Sequence, residues 1–193
     1  MIDLSRPVLE IAQALLGTVI RVGPVAIRLT EVEAYAGSDD EAAHSYGGLR
    51  PSTKDLFGPP GTLYCYLSYG IHICGNIVCG PGDGSAVLLR AGEVVDGIDV
   101  ARARRHGARD HALARGPGCF GQAMGWTRAS SGGTLGDDYE LIGTDNPLYP
   151  GAVRSGPRVG ISVAEDLPWR FWIAGDPTVS HYRRSPRAPK SRS

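Results

Sequence analysis

No stretch of this chain approaches the roughly 18 uninterrupted apolar residues that a membrane helix needs, so a helical membrane protein is not expected. The opening "MIDLSRPVLE" lacks the basic-then-apolar order of a signal peptide. The expectation is therefore a soluble intracellular protein with no membrane partner. Cysteines stand only at 65, 74, 79 and 119, spacings that match neither paired C-x-x-C zinc sites nor an iron–sulfur pattern. Buried free thiols fit them better than metal ligands. Lysine is almost missing, with Lys54 and Lys190 alone in 193 residues. A net charge is missing too, because 20 basic residues balance 20 acidic ones.

What is present suffices for a folded domain. An apolar fraction of 42% can fill a sizeable core, and this length suits one domain. The charge is unevenly spread. The last thirteen residues, "HYRRSPRAPKSRS", hold five of the basic residues and none of the acidic ones, leaving 15 against 20 before them. Residues 1–180 read as the domain and 181–193 as a basic tail with the composition of a disordered arm. Such a tail is either an electrostatic hold on nucleic acid or a solubilising extension.

Along the chain, "VLEIAQALL" places Val8, Ile11, Ala12 and Leu15 on one helical face, and Gly17 can end that helix. "TVIRVGPVAIRLTEVEAY" reads as two strands about a Gly23-Pro24 turn. Residues 37–61 are loop-rich, and "LYCYLSYGIHICGNIVC" reads as a strand pair hinged near Tyr69-Gly70. "SAVLLRA" predicts a short buried strand and "DVARARRHGARDHALARG" a polar helix. "RVGISVA" and "RFWIAG" are further strand candidates. Strands outnumber helices without β-α-β alternation, which predicts an α+β fold with a mainly antiparallel sheet.

Three groups of residues invite chemistry. Side chains alternate along a strand, so Val25, Ile27 and Leu29 share a face that Glu33 and Tyr35 continue, provided that no bulge intervenes. A carboxylate where an apolar face runs out has a raised pKa unless a cation compensates, and Arg90 after "AVLL" is a candidate cation. The other reading is an edge strand turning to solvent with Glu31 and Glu33 exposed. Asp39, Asp40, Glu41 and His44 invite a metal reading, against an Asx-type turn. In "YCYLSYGIH", Gly70 supplies the positive φ of a tight turn and leaves Tyr69 at an exposed tip. An aromatic there either has a local packing partner or inserts into stacked bases.

These pieces resemble the alkyladenine (3-methyladenine) DNA glycosylase family, the mammalian-type fold that excises damaged purines. The resemblance spans residues 8–180 and rests on "TEVEAYAGSDDEAAHS", "FGPPGTLYCYLSYGIHICGNIVC", "GSAVLLRAGE" and "PRVGISVAEDLPWRFWIAGDPTVS". It implies a single α+β domain with a curved sheet, flanking helices and a protruding β-hairpin. It implies an enzyme that flips alkylated or deaminated purines out of double-stranded DNA and hydrolyses the N-glycosidic bond, leaving an abasic site. Carried over by position, Glu33 is the general base that activates water. Arg90 orients water and carboxylate, and the Val159 carbonyl is a third water contact. Tyr35, His44 and Tyr66 wall the flipped base, with backbone hydrogen bonds from Ala42 and His44. Asn76 crowds the exocyclic amine of normal guanine, and Tyr69 fills the gap in the duplex.

The resemblance also implies no cofactor, no metal and a monomer, in the bacterial cytoplasm at the nucleoid or in a eukaryotic nucleus. With only Lys54 and Lys190 available, a Schiff-base route is not expected. Two positions depart from the family's habit. Its Arg-Asn pair before Phe-Gly-Pro-Pro is replaced by Pro51-Ser-Thr-Lys-Asp55, and its lysine after "GPG" by Cys119. The alternatives are a metal-dependent hydrolase at Asp39, Asp40, Glu41 and His44, and a non-catalytic nucleic-acid-binding module.

Overall fold

The computed structural model describes residues 2–143, 148 and 151–189. Helix α1 (Val8–Leu15) buries the four residues its periodicity predicts, and Gly17 follows at φ +82°. Strands β1 (Val19–Val22) and β2 (Val25–Tyr35) form the expected hairpin. After the irregular segment come β3 (Leu63–Ser68), β4 (His72–Val78) and β5 (Ala86–Asp96). Helix α2 covers only Ile98–Arg104, a shorter element than the arginine-rich segment predicts. Next come the two-residue β6 (Ala114–Arg115), α3 (Pro117–Met124), β7 (Glu140–Ile142), β8 (Val153–Gly156) and β9 (Arg170–Ile173).

All the named strand pairs are antiparallel, in the order β3-β4-β5-β2-β1-β7, with β6 on β5 and β8-β9 attached to β2. The molecule is thus a single α+β domain with a curled antiparallel sheet and, among the described residues, three α-helices. Among the described residues, no helix is long and apolar enough to cross a membrane.

The curl has a local cause. Between Leu29 and Val32 the β2–β5 register jumps twice: Leu29 pairs with Gly92, Glu31 with Ala91 and Val32 with Leu89, skipping Thr30 and Arg90. At the same place β2 exchanges its other neighbour, β1 giving way to β9. Bulges of this kind bend a sheet and re-aim side chains. Here the core-facing set on β2 changes from Val25, Ile27 and Leu29 to Val32 and Ala34. Glu33 and Tyr35 therefore do not continue the apolar face; they point to the opposite, concave side. The condition that no bulge intervenes fails, and its failure makes the site.

Helix α3 lies beneath the β3–β4 hairpin. Its packing is close enough that a Cβ on Gly121 would stand 2.0 Å from the Ile73 carbonyl oxygen, and one on Gly118 2.7 Å from the His72 ring. From the strand side, a Cβ on Gly75 would stand 2.3 Å from the Trp126 ring. Only glycine lets backbones meet this closely. Just beyond these contacts, at the turn of the hairpin, Tyr69 (φ +50°) and Gly70 (φ +75°) both take left-handed conformations. Tyr69 is 88% exposed and Ile71 73%. No described side chain covers the tyrosine, and a non-glycine residue at positive φ is a strained choice that clusters at functional sites.

The expected strand at "RVGISVA" does not form; the chain there is a series of bends. Left-handed backbone at Gly160 (φ +76°) and Ala164 (φ +48°) interrupts it, and Arg158 at its start is drawn fully inside to pair with Asp40. Of the basic tail, residues 181–189 run along the 160–165 loop, with Gly160 N–H donating to the Arg183 carbonyl and Arg184 paired with Glu165. Residues 190–193 of that tail lie outside the described residues.

Candidate active site

The concave side of the sheet carries a cavity of about 440 Å³. Alternation along three neighbouring strands supplies its floor: Tyr64, Tyr66 and Ser68 from β3, Cys74 and Asn76 from β4, and Ala86, Leu88 and Arg90 from β5. Glu33 and Tyr35 enter from β2, Ala42–Ser45 from the loop after it, and Val159–Ile161 from the bends after β8. Every residue the sequence nominated for a pocket is in this cavity, and Tyr69 stands at its margin.

Glu33 is completely buried. Its Oε1 accepts the Val159 N–H at 2.6 Å, and its Oε2 accepts the Tyr35 hydroxyl at 3.0 Å and faces Arg90 Nη1 at 3.1 Å. The expected alternative, a glutamate turned to solvent, is excluded for Glu31 as well, which is equally buried. Val159 meets the carboxylate through its N–H, a contact the sequence reading did not anticipate. The Tyr35 hydroxyl titrates well above its ordinary value, first because it is buried and then because Glu33 is beside it. It therefore stays a donor at neutral pH.

The aromatic walls pack on one another. The His44 ring meets Tyr66 edge-on at 4.5 Å between centroids, and Tyr64 stacks on Tyr66 at 5.9 Å. His44 Nδ1 is 3.1 Å from the Tyr64 hydroxyl. Partial burial, helped by Arg50, holds the His44 imidazole below its ordinary value, so the ring is neutral at pH 7. In the loop that carries it, the Ala42 N–H is taken by Asp40 and the His44 carbonyl by Arg50. Among the described residues, neither the Ala42 carbonyl nor the His44 N–H has a hydrogen-bond partner, and both residues line the cavity. Asn76, nearly buried, donates from Nδ2 to the Tyr64 carbonyl at 3.2 Å, which fixes its side chain in the wall.

Asp40 has another occupation than metal. Both its oxygens face the buried Arg158 guanidinium, and they also accept the Ala36 and Ala42 N–H groups, the latter as an Asx turn. Asp39 and Glu41 point to solvent. Among the described residues, no three His, Cys, Asp or Glu side chains converge as metal ligands would. Arg158 also lies over Tyr35 at 4.6 Å and Trp169 at 5.1 Å, so it braces the back of one pocket wall. The sequence reading missed Arg158, Tyr64, Cys74 and Leu88. Alternation from Tyr66, Asn76 and Arg90 is the signal that would have found the last three.

Thr53 and Cys119, at the two departures from the family's habit, have partners: Thr53 Oγ1 accepts the Arg50 N–H at 3.1 Å, and Cys119 Sγ accepts from Arg105 at 3.0 Å.

Comparison with known proteins agrees with this geometry. The profile of a family described as methylpurine-DNA glycosylase matches residues 2–177. A protein of Nocardia farcinica is 52% identical over 92% of this chain and 88% of its own length. One of Frankia casuarinae is 50% identical over 96% and 93%, and one of Cutibacterium acnes 50% identical over 93% and 98%. Each of the three carries the name "Putative 3-methyladenine DNA glycosylase". With the matched region spanning both sides of the cavity, and the motif residues gathered inside it, the chain belongs to the methylpurine-DNA glycosylase family.

Proposed function

We propose that this DNA glycosylase takes an alkylated or deaminated purine, rotated out of duplex DNA, into the cavity and hydrolyses its N-glycosidic bond with water activated by Glu33. The observation that carries the reading is a fully buried carboxylate, held by Arg90 and the Val159 N–H, at the end of a pocket walled by Tyr35, Tyr66 and His44. The names of the relatives support the substrate class.

Extruding a base costs a few kcal/mol, least for a damaged pair, and stacking on aromatic walls returns about 1–3 kcal/mol. The open Ala42 carbonyl and His44 N–H form an acceptor and a donor for the edge of the base. Glu33 takes a proton from water as the oxygen attacks the anomeric carbon and the purine departs with the bonding electrons. A buried carboxylate also stabilises the positive charge that develops on the sugar. Asn76, which lines the cavity, is the residue proposed to crowd the exocyclic amine of guanine. Lys54 is exposed outside the cavity and Lys190 lies beyond the described residues, so no described lysine lines the pocket. The expected product is an unbroken strand with an abasic site.

The test is to incubate the protein with duplexes carrying hypoxanthine, ethenoadenine or an alkylated purine, and to assay for abasic sites with and without borohydride. Base release without a trapped adduct is the expected result. A borohydride-trapped protein–DNA adduct, or binding without release, would overturn the mechanism.

Tyr69, bare at the hairpin tip, is proposed to fill the gap left by the extruded nucleotide. Tyr69→Ala should weaken binding to damaged duplex by about 1–3 kcal/mol, the scale of one stacked ring, and leave binding to damaged single strand nearly unchanged. Fluorescence anisotropy on the two substrates measures the difference, and equal losses would remove the wedge role.

A further inference from the structure

Behind the pocket lies a second buried carboxylate that the reaction above does not use. Glu31 is wholly inaccessible, two residues before Glu33 on β2. Its Oε1 accepts from Arg90 Nε at 2.8 Å, Arg170 Nε at 2.7 Å and the Ser180 hydroxyl at 2.9 Å, and its Oε2 accepts the Ser180 N–H at 2.6 Å. Arg90 therefore spans two carboxylates, Nε to Glu31 and Nη1 to Glu33, while its Nη2 reaches toward Ser180 Oγ at 3.4 Å. Left alone with one carboxylate, a guanidinium prefers two parallel hydrogen bonds. The second, parallel bond to the Glu33 carboxylate would come from Nη2; here Nη2 is turned toward Ser180 Oγ, and Glu31 sets that orientation by holding Arg90 Nε together with the Ser180 hydroxyl and N–H.

We infer that Glu31 is a positioning residue for hydrolysis: it holds Arg90 to a single contact with Glu33, which keeps Glu33 basic enough to accept a proton from water. The inference rests on the proposed role of Glu33. Burial works to raise the Glu31 carboxyl, but Arg90, Arg170 and the Ser180 N–H outweigh it and the net displacement is downward, so Glu31 is ionised at neutral pH. Two carboxylates and two guanidiniums then balance, and neither cation is free to bind Glu33 as its sole anion. The other charged or titratable groups around Glu33 are Tyr35 on β2, Tyr66 on β3, Cys74 on β4, and Arg158 and His44 from the loops. Among the described residues, none of these is hydrogen-bonded to Glu31.

The experiment is the pH dependence of single-turnover excision, on whichever lesion duplex is excised fastest, for wild type, Glu31→Gln, Glu31→Gln/Arg170→Gln and Glu33→Gln. Without Glu31's charge, Arg90 closes on Glu33 and a like charge is lost nearby. Both effects favour the Glu33 carboxylate, so the acidic limb should move to lower pH by about one pH unit. The plateau should fall about tenfold, a fraction of the roughly 10²–10⁴-fold that a general base supplies. The double variant keeps the buried charges balanced and should keep the displaced limb. If Glu31 served only to neutralise Arg170, the double variant would return to the wild-type profile, and that overturns the inference. So does an unmoved limb in a folded Glu31→Gln, or failure of both variants to fold, since either assigns Glu31 to structure. Glu33→Gln separates the two levels. Wild-type excision by that variant would sink the base assignment itself, whereas an inactive Glu33→Gln beside an unmoved Glu31→Gln limb sinks only the positioning role.

Discussion

Replacing Glu33 by glutamine should reduce single-turnover excision by at least about 10²-fold, the lower end of what general-base catalysis contributes, while damaged duplex still binds. Glutamine keeps the size of the side chain and can still accept from the Val159 N–H through its carbonyl oxygen. It lacks basicity, and its amide group sets two donors against the Tyr35 hydroxyl and Arg90, which both donate. The pocket walls are untouched, so stacking and affinity should persist. The measurement pairs a quenched excision time course with a binding isotherm on the same duplex. Excision within a few-fold of wild type would remove Glu33 from its role. Loss of binding in parallel with excision would make it a packing residue of the pocket.

The largest effect on stability is expected at Arg158. Its guanidinium is sealed from solvent with Asp40, donates to the Ala34 carbonyl, and lies between the Tyr35 and Trp169 rings. Arg158→Leu leaves the Asp40 charge buried with only two N–H donors for company. Breaking such a pair from one side costs about 3–5 kcal/mol. The urea midpoint should fall accordingly with little change in slope. Asp40→Asn in the Arg158→Leu background should recover part of the loss, because it removes the stranded charge. A loss below about 1 kcal/mol would place the pair with exposed ion pairs, which contribute little. Excision should fall as well, since Val159, the next residue, delivers its N–H to Glu33.

The sequence made local features legible and hid the long-range ones. Helix α1, the β1–β2 hairpin and the β3–β4 hairpin follow from periodicity and from Gly17, Gly23 and Gly70, signals carried within a few residues. The motif residues of the pocket were readable through the family resemblance. Pattern alone pointed Glu33 the wrong way, because the skipped Thr30 and Arg90 leave no mark on the alternation of either strand. The Asp40–Arg158 pair joins residues 118 apart in sequence, and no local rule announces that an arginine in "PRVG" will turn inward. Glu31 looked interchangeable with Glu33 on the page. Only their opposite surroundings, Arg170 and Ser180 against Tyr35 and the cavity, distinguish them. Helix α3 was overlooked because two interior glycines lower its propensity; Pro117 at its first turn was the available clue.

Those same glycines bear on how the hairpin works as a mechanical part. A projecting hairpin keeps its tip in place only if the strands behind the tip do not yield, and an isolated two-stranded ribbon is marginal. Here Gly121 lets α3 reach the Ile73 carbonyl and Gly75 lets the Trp126 ring come up to the strand, so β4 is backed from its middle almost to the turn, by backbone and ring. The hairpin is thus supported along β4 up to the turn, and Tyr69 and Ile71 stand bare beyond it. A load applied at the tip passes to the helix and sheet as a rigid displacement. A methyl group at position 75 or 121 would push β4 off the Trp126 ring or off α3 and leave the turn without that support.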